Sequence, residues 1–232
     1  MKKQVLIVGL GRFGASLATT FSSMGHDVLA IDDDEKKVQA ISAQVTHAVQ
    51  ADATDEAVLK ELGVSNFDVA IVTMGEAIQN SVLSTILLKK LGVPHVIARA
   101  ENDLHGSILD KIGADKVVFP EREMGIRVAH GLTLRDVQDY IPVAPSYGVA
   151  KVEALSGFVG KTLSELEFGR GAKWGLAVLL IRRGNGVIVT PDRTEVVREG
   201  DILIVSGSDD KLEQFLHEAN KNEREKKEEK EQ

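Results

Sequence analysis

The sequence predicts an α/β protein: a doubly wound parallel sheet followed by a smaller α+β domain. Three observations predict it. First, the apolar run Val5-Leu6-Ile7-Val8 feeds Gly9-Leu10-Gly11-Arg12-Phe13-Gly14, and a helical pattern follows. This G-x-G-x-x-G turn between strand and helix is the layout of a dinucleotide-binding βαβ unit. Second, the run Val28-Leu29-Ala30-Ile31 ends in Asp32, about twenty residues on, where such units place the carboxylate that meets a ribose. Third, strand-like and helix-like segments alternate through the first 140 residues, and a different pattern of short strands and turns begins near Asp139–Pro145.

The first strand, Gln4–Val8, is apolar without alternation, as expected for a strand buried on both faces. Gly9 allows the tight turn, Gly11 lets backbone approach a pyrophosphate, and Gly14 lets helix pack close to strand. A helix over Ala15–Met24 follows, and then the second strand, Asp27–Ile31. Asp32-Asp33-Asp34 can cap the next helix, Glu35–Ala43. Further strands are expected at His47–Ala51, Val69–Thr73, His95–Ala100 and Lys116–Phe119. Helices are expected from Thr54, over Asn80–Leu91, over Asp103–Ile112, and from Glu121 to about Leu132. Six strands alternating with helices make a Rossmann-like sheet.

Pro142, Pro145 and Gly148 mark a boundary. The expected domains are residues 1–140, 141–219, and a charged tail, 220–232. The second domain has strands at Gly148–Leu155, Leu176–Arg183, Val187–Thr190 and Ile202–Val205, a hairpin turn at Gly184-Asn185-Gly186, and a final helix, Asp209–Ala219. The tail alternates Lys or Arg with Glu and reads as a solvated helix or a disordered segment.

The composition narrows the function. The 232 residues contain no cysteine, so disulfides, thiolate nucleophiles and zinc–thiolate sites are excluded, and a cytoplasmic location is expected. No apolar stretch approaches the roughly 18–20 residues that span a bilayer, and the N-terminal run is too short for a signal peptide. A net charge of -7 argues against general nucleic-acid binding.

The candidate nucleotide-binding residues are Gly9, Gly11, Arg12, Phe13, Gly14, Asp32, Asp52, Ala53, Thr54, Thr73, Met74, Gly75 and Arg99. Asp32 would bind ribose hydroxyls and repel a 2′-phosphate, which leaves NAD, ATP and ADP open. Asp52-Ala53-Thr54 follows the third strand and can meet the adenine side, with Asp52 also a candidate helix cap. Thr73-Met74-Gly75 ends the fourth strand. Arg12 puts a cation near the phosphates, from its own subunit or a neighbour; otherwise it is a solvated surface residue. An oxidoreductase needs a proton donor or acceptor beside the nicotinamide. The six histidines are scattered, and there is no Tyr-x-x-x-Lys, H-E-x-x-H or G-x-S-x-G. The nucleotide therefore reads as a signal, with a small NAD-dependent oxidoreductase as the alternative.

Four runs carry a family resemblance. They are Gly9–Gly14, Ile71-Val72-Thr73-Met74-Gly75-Glu76 with Ile78-Gln79-Asn80-Ser81, Lys111-Ile112-Gly113-Ala114-Asp115 before Phe119-Pro120-Glu121-Arg122-Glu123-Met124-Gly125, and Gly200–Gly207. Over about residues 3–218 the chain resembles the RCK (KTN/TrkA) regulatory proteins of potassium transport, the cytosolic KtrA/KtrC type in particular.

The resemblance implies an N-terminal nucleotide domain, a crossover helix that pairs subunits, and a C-terminal RCK domain. It implies dimers assembling into an octameric ring that docks on a membrane potassium transporter of the KtrB/TrkH type, or in other members on a cation channel or antiporter. ATP or ADP would set the gate. By the same resemblance Arg12 contacts terminal phosphate and Glu121 helps bind a divalent or monovalent cation between subunits. Some members bind cyclic di-AMP between two C-terminal domains. The matching stretch is Val178–Arg183 with Pro191, and this chain departs from that pattern nearby at Phe168-Gly169-Arg170-Gly171-Ala172-Lys173-Trp174.

Overall fold

The computed structural model describes residues 1–75, 77–133 and 137–228. Glu76 of the second family-like run, and the last four residues of the tail, lie outside them. Two compact units divide between Glu121 and Arg122.

The first unit is a six-stranded parallel sheet. Its strands are β1 (Gln4–Val8), β2 (Asp27–Asp32), β3 (His47–Gln50), β4 (Val69–Val72), β5 (His95–Arg99) and β6 (Lys116–Val118), in the order β3-β2-β1-β4-β5-β6. The order reverses between β1 and β4, which places a crevice at their carboxyl ends. The central strands are buried on both faces. Leu6 and Val8 join Ile31, Ala70 and Val72 in one cluster, while Val5 and Ile7 join Val28, Ala30 and Ile71 in the other. The helices are α1 (Arg12–Ser23), α2 (Glu35–Ile41), α3 (Glu56–Glu61), α4 (Ile78–Lys90) and α5 (Asp103–Lys111). Side chains of Asp34, Asp55 and Asn102 cap α2, α3 and α5. Asp52 is not a helix cap. Its Oδ1 accepts from Thr54 N and Oγ1 at 2.8 and 2.7 Å, in a turn just before α3.

Helix α6 (Pro120–Thr133) runs from the end of the first unit into the second. The second unit is an antiparallel sheet of β7 (Val137–Ala144), β8 (Tyr147–Glu153), β9 (Ala177–Arg183), β10 (Gly186–Val189) and β11 (Ile202–Ser208), in the order β10-β9-β11-β8-β7. Helix α7 (Asp209–Glu228) packs Leu212, Phe215 and Leu216 into its core. The expected hairpin forms, with Arg183 paired to Gly186.

Two features differ from expectation. Pro142 and Pro145, read as a boundary near residue 140, belong to a hairpin of the second sheet: Pro142 lies inside β7, and Pro145 is in the turn to β8. Strand β7 is an edge strand, where the missing N–H of a proline is tolerated. The division between units falls instead at 121/122. Helix α7 also runs past the expected end at Ala219 to Glu228, which takes the helical of the two readings of the charged tail.

Candidate functional site

The glycine turn is held from three sides. Gly9 takes φ +94°, open to glycine at little cost. Its N–H donates to Ile31 O at 2.8 Å. From the end of β4, Thr73 Oγ1 donates to Gly9 O at 2.7 Å and to Val8 O at 3.1 Å. Gly14 has no room for a side chain: a Cβ there would strike Gly9 O and lie 2.6 Å from Thr73 Oγ1. Gly11 is the N-cap of α1 and has open space beside it. No side chain caps α1, and no acidic residue lies in its first turn. The leading amides of that turn, which have no intrahelical acceptor, therefore face a position suited to an anion.

A cavity of about 680 Å³ opens over this turn, within the range of roughly 300–1,000 Å³ usual for ligand pockets. Gly9, Gly11, Arg12, Phe13, Asp32, Thr73, Met74, Gly75, Arg99 and Glu121 all line it. Asp52, Ala53 and Thr54 line a smaller adjoining recess, shared with Gly9, Asp32 and Met74. Gly14 lines neither and works through packing. Thus the sequence-derived candidates gather at one end of the sheet, and all but that glycine line the two hollows.

Four lining residues were not anticipated: Asp33, Lys37, Ala77 and Asn80. Asn80 belongs to the family-like run Ile78–Ser81, although no site role was drawn from it, and Lys37 sits on a helix face at no motif spacing. Only the position of Lys37, one turn beyond the Asp32 cluster, could have suggested it.

Asp32 is 7% exposed. Its Oδ2 accepts from Leu10 N at 2.6 Å, and its Oδ1 accepts from Asp34 N at 2.9 Å and from Lys37 Nζ at 3.2 Å. Burial pushes its carboxyl up. The bonds from Leu10, Asp34 and Lys37 outweigh burial, so the group sits below the usual aspartate range.

At the opposite wall, Arg99 donates to Glu121 at 2.6 Å and to Thr73 O at 3.4 Å. Its guanidinium lies against Gly75, where a Cβ would come within 2.7 Å of it. Glu121, the expected cation ligand, is therefore paired with an arginine, and the described residues hold no group of three or more His, Asp or Glu suited to a metal. In the second unit Arg183 is also committed: it pairs with Asp201 at 2.8 Å and Glu195 at 3.0 Å.

The reversed strand order, the glycine turn under α1 and the carboxylate ending β2 define a Rossmann-type domain of the kind built around nucleotides, here joined to a small antiparallel domain. The chain belongs to the TrkA family: residues 5–120 match the TrkA-N domain and residues 149–220 match the TrkA-C domain.

It is similar to Ktr system potassium uptake protein C of Bacillus subtilis (strain 168), 45% identical over 93% of this chain and 96% of that protein. Ktr system potassium uptake protein A of the same organism is 38% identical over the same shares. Ktr system potassium uptake protein A of Vibrio alginolyticus is 34% identical over 90% of this chain and 94% of that protein. Among solved structures, the GsuK channel bound to NAD matches with a TM-score of 0.63 at 21% identity. That match covers 93% of this chain and 39% of the channel chain, and it is a likeness of fold.

Proposed function

We propose that this protein is a nucleotide-responsive regulatory subunit of a membrane potassium-uptake system. One observation carries the reading: relatives up to 45% identical along nearly the whole chain are potassium-uptake proteins of Ktr systems, and the chain has no helix among its described residues long and apolar enough to cross a membrane. A partner would then supply the conduction path, and the resemblance points to one of the KtrB/TrkH type.

The cavity is the sensor in this reading. Asp32 offers a charged acceptor to ribose hydroxyls. Gly11 and the first turn of α1 offer open space and N–H donors to phosphates. Arg12 and Arg99 supply cationic charge, and the Asp52–Thr54 recess lies beyond Asp32 on the base side. ATP and ADP are the proposed ligands, with NAD as the competitor; the fold neighbour GsuK was solved bound to NAD. An additional terminal phosphate would reach the Arg99–Glu121 pair, and a cation there would compete with Arg99 for the Glu121 carboxylate.

The lining contains no His or Tyr among the described residues, which favours a signal over a hydride carrier. Subunit pairing and the octameric ring belong to the same proposal on the resemblance alone.

Calorimetry with ATP, ADP and NAD tests the ligand. Binding of at least one, abolished or weakened about tenfold or more in Asp32→Ala, is expected from the loss of a charged acceptor. No binding of any, or unchanged affinity in the variant, overturns it.

A further inference from the structure

Asp32 has two kinds of donor. Leu10 N–H and Asp34 N–H are backbone groups, fixed by the glycine turn and by the cap of α2. Lys37 is on a flexible stem. Its ammonium reaches both carboxylate oxygens, 3.2 Å from Oδ1 and 3.4 Å from Oδ2. The side chain of Lys37 is 45% exposed and that of Asp32 only 5%. Lys37 therefore lies on the cavity side of the carboxylate, and it lines the same cavity.

A ribose diol presents two hydroxyl donors to a carboxylate, and an ammonium can present two N–H donors to the same oxygens. We propose that Lys37 is an internal stand-in for the ribose diol, which a nucleotide must displace and which therefore sets how strongly the diol counts toward affinity. This rests on the reading of the cavity as a nucleotide site.

The physical logic has two sides. A carboxylate so deeply buried would be costly to leave unpaired. Lys37 adds its charge to the bonds from the Leu10 and Asp34 amides and holds the carboxylate aimed when no sugar is there. An ion pair with one partner half in water is weak, so a diol can replace it. Lys37 also attracts phosphate through its charge, so a change in ADP affinity alone would mix the two effects. The ratio of affinities for ADP and 2′,3′-dideoxy-ADP isolates the diol, because the phosphates cancel.

The test is calorimetry on the full chain with both nucleotides, for the wild type, Lys37→Met and Lys37→Arg. The preference for ADP over the dideoxy compound is expected to rise about two- to fivefold in Lys37→Met, the factor for removing a competing, partly exposed ion pair. It should return toward wild type in Lys37→Arg, which restores the charge. An equal preference above unity in all three proteins overturns the role of Lys37 and leaves Asp32 as the ribose ligand. No preference in any of them overturns both.

Discussion

Gly11 and Gly14 stand three residues apart in the same turn, and they should fail differently. A methyl group at Gly14 would strike Gly9 O, a backbone atom held by Thr73. Gly14→Ala should cost about 2–3 kcal/mol, the upper range for overpacking, and should be visible in urea unfolding. Gly11 has ordinary backbone angles, φ -63° and ψ -177°, and open space around it. Gly11→Ala should fold with stability within about 1 kcal/mol of wild type while its methyl group blocks the approach of phosphate. A Gly11→Ala protein that binds ADP as well as wild type would remove phosphate from that position.

Asp32 makes a prediction in pH. Its carboxyl lies below the usual value in the folded chain. Such a group stabilises the fold fully above its unfolded pKa of about 3.9, and that stability is lost as pH falls through the lower folded value. The deficit of Asp32→Asn relative to wild type in thermal unfolding should therefore be constant from pH 8 to about 5 and shrink below about 4. A deficit that grows toward acid contradicts the geometry around the carboxylate.

Among elements, the second sheet carries a buried ion pair beside its apolar core. The side chain of Asp201 is wholly buried, and Arg183 on β9 reaches it twice, through Nε at 2.9 Å and Nη2 at 2.8 Å. Burial pushes the Asp201 carboxyl up, and the bonds to Arg183 and the Arg198 amide bring it below the usual range. Arg183→Leu should destabilise the protein by about 3 kcal/mol, because it leaves a buried charge without its main partner. Urea unfolding checks this, and a loss under about 1 kcal/mol would contradict it.

Elements differed in how plainly the sequence announced them. Strands β1, β2 and β4 were legible because burial on both faces leaves an unbroken apolar run, and Asp34, in the Asp32–Asp34 cluster, marked a helix start by the chemistry of capping. Strand β7 was hidden because an edge strand can carry prolines that a central strand cannot. The far end of α7 left two readings open, a solvated helix or a disordered segment, because a charged stretch has no apolar period to decide between them. At the site, the glycines and Asp32 were legible because their backbone geometry and spacing are fixed by what they do. Lys37 was not, since a polar residue on a helix face looks the same whether it meets solvent or a cavity.

At the scale of the whole molecule, one helix, α6, begins in the first unit and continues into the second. Glu121 lies in the first turn of α6 and is held by Arg99 at the cavity wall. Farther along the same helix Arg127 pairs with Asp139, and His130 stacks on Tyr140 with centroids 4.5 Å apart, both partners being on β7. A ligand that draws Arg99 toward phosphate would change what holds α6 at one end, while the other end stays fastened to the second sheet. The bias can be no larger than the difference in ligand affinity between the two conformations. The proposed gating requires that the ratio of affinities for the conducting and resting forms differ between ATP and ADP. The measurement that tests this most directly is potassium flux into vesicles carrying the membrane subunit, with this protein added and ATP or ADP as the sole nucleotide. The account predicts flux that differs between ATP and ADP with the wild-type protein, and no such difference with Asp32→Asn. Flux that is the same with either nucleotide, or the same whether or not the protein is present, would contradict it.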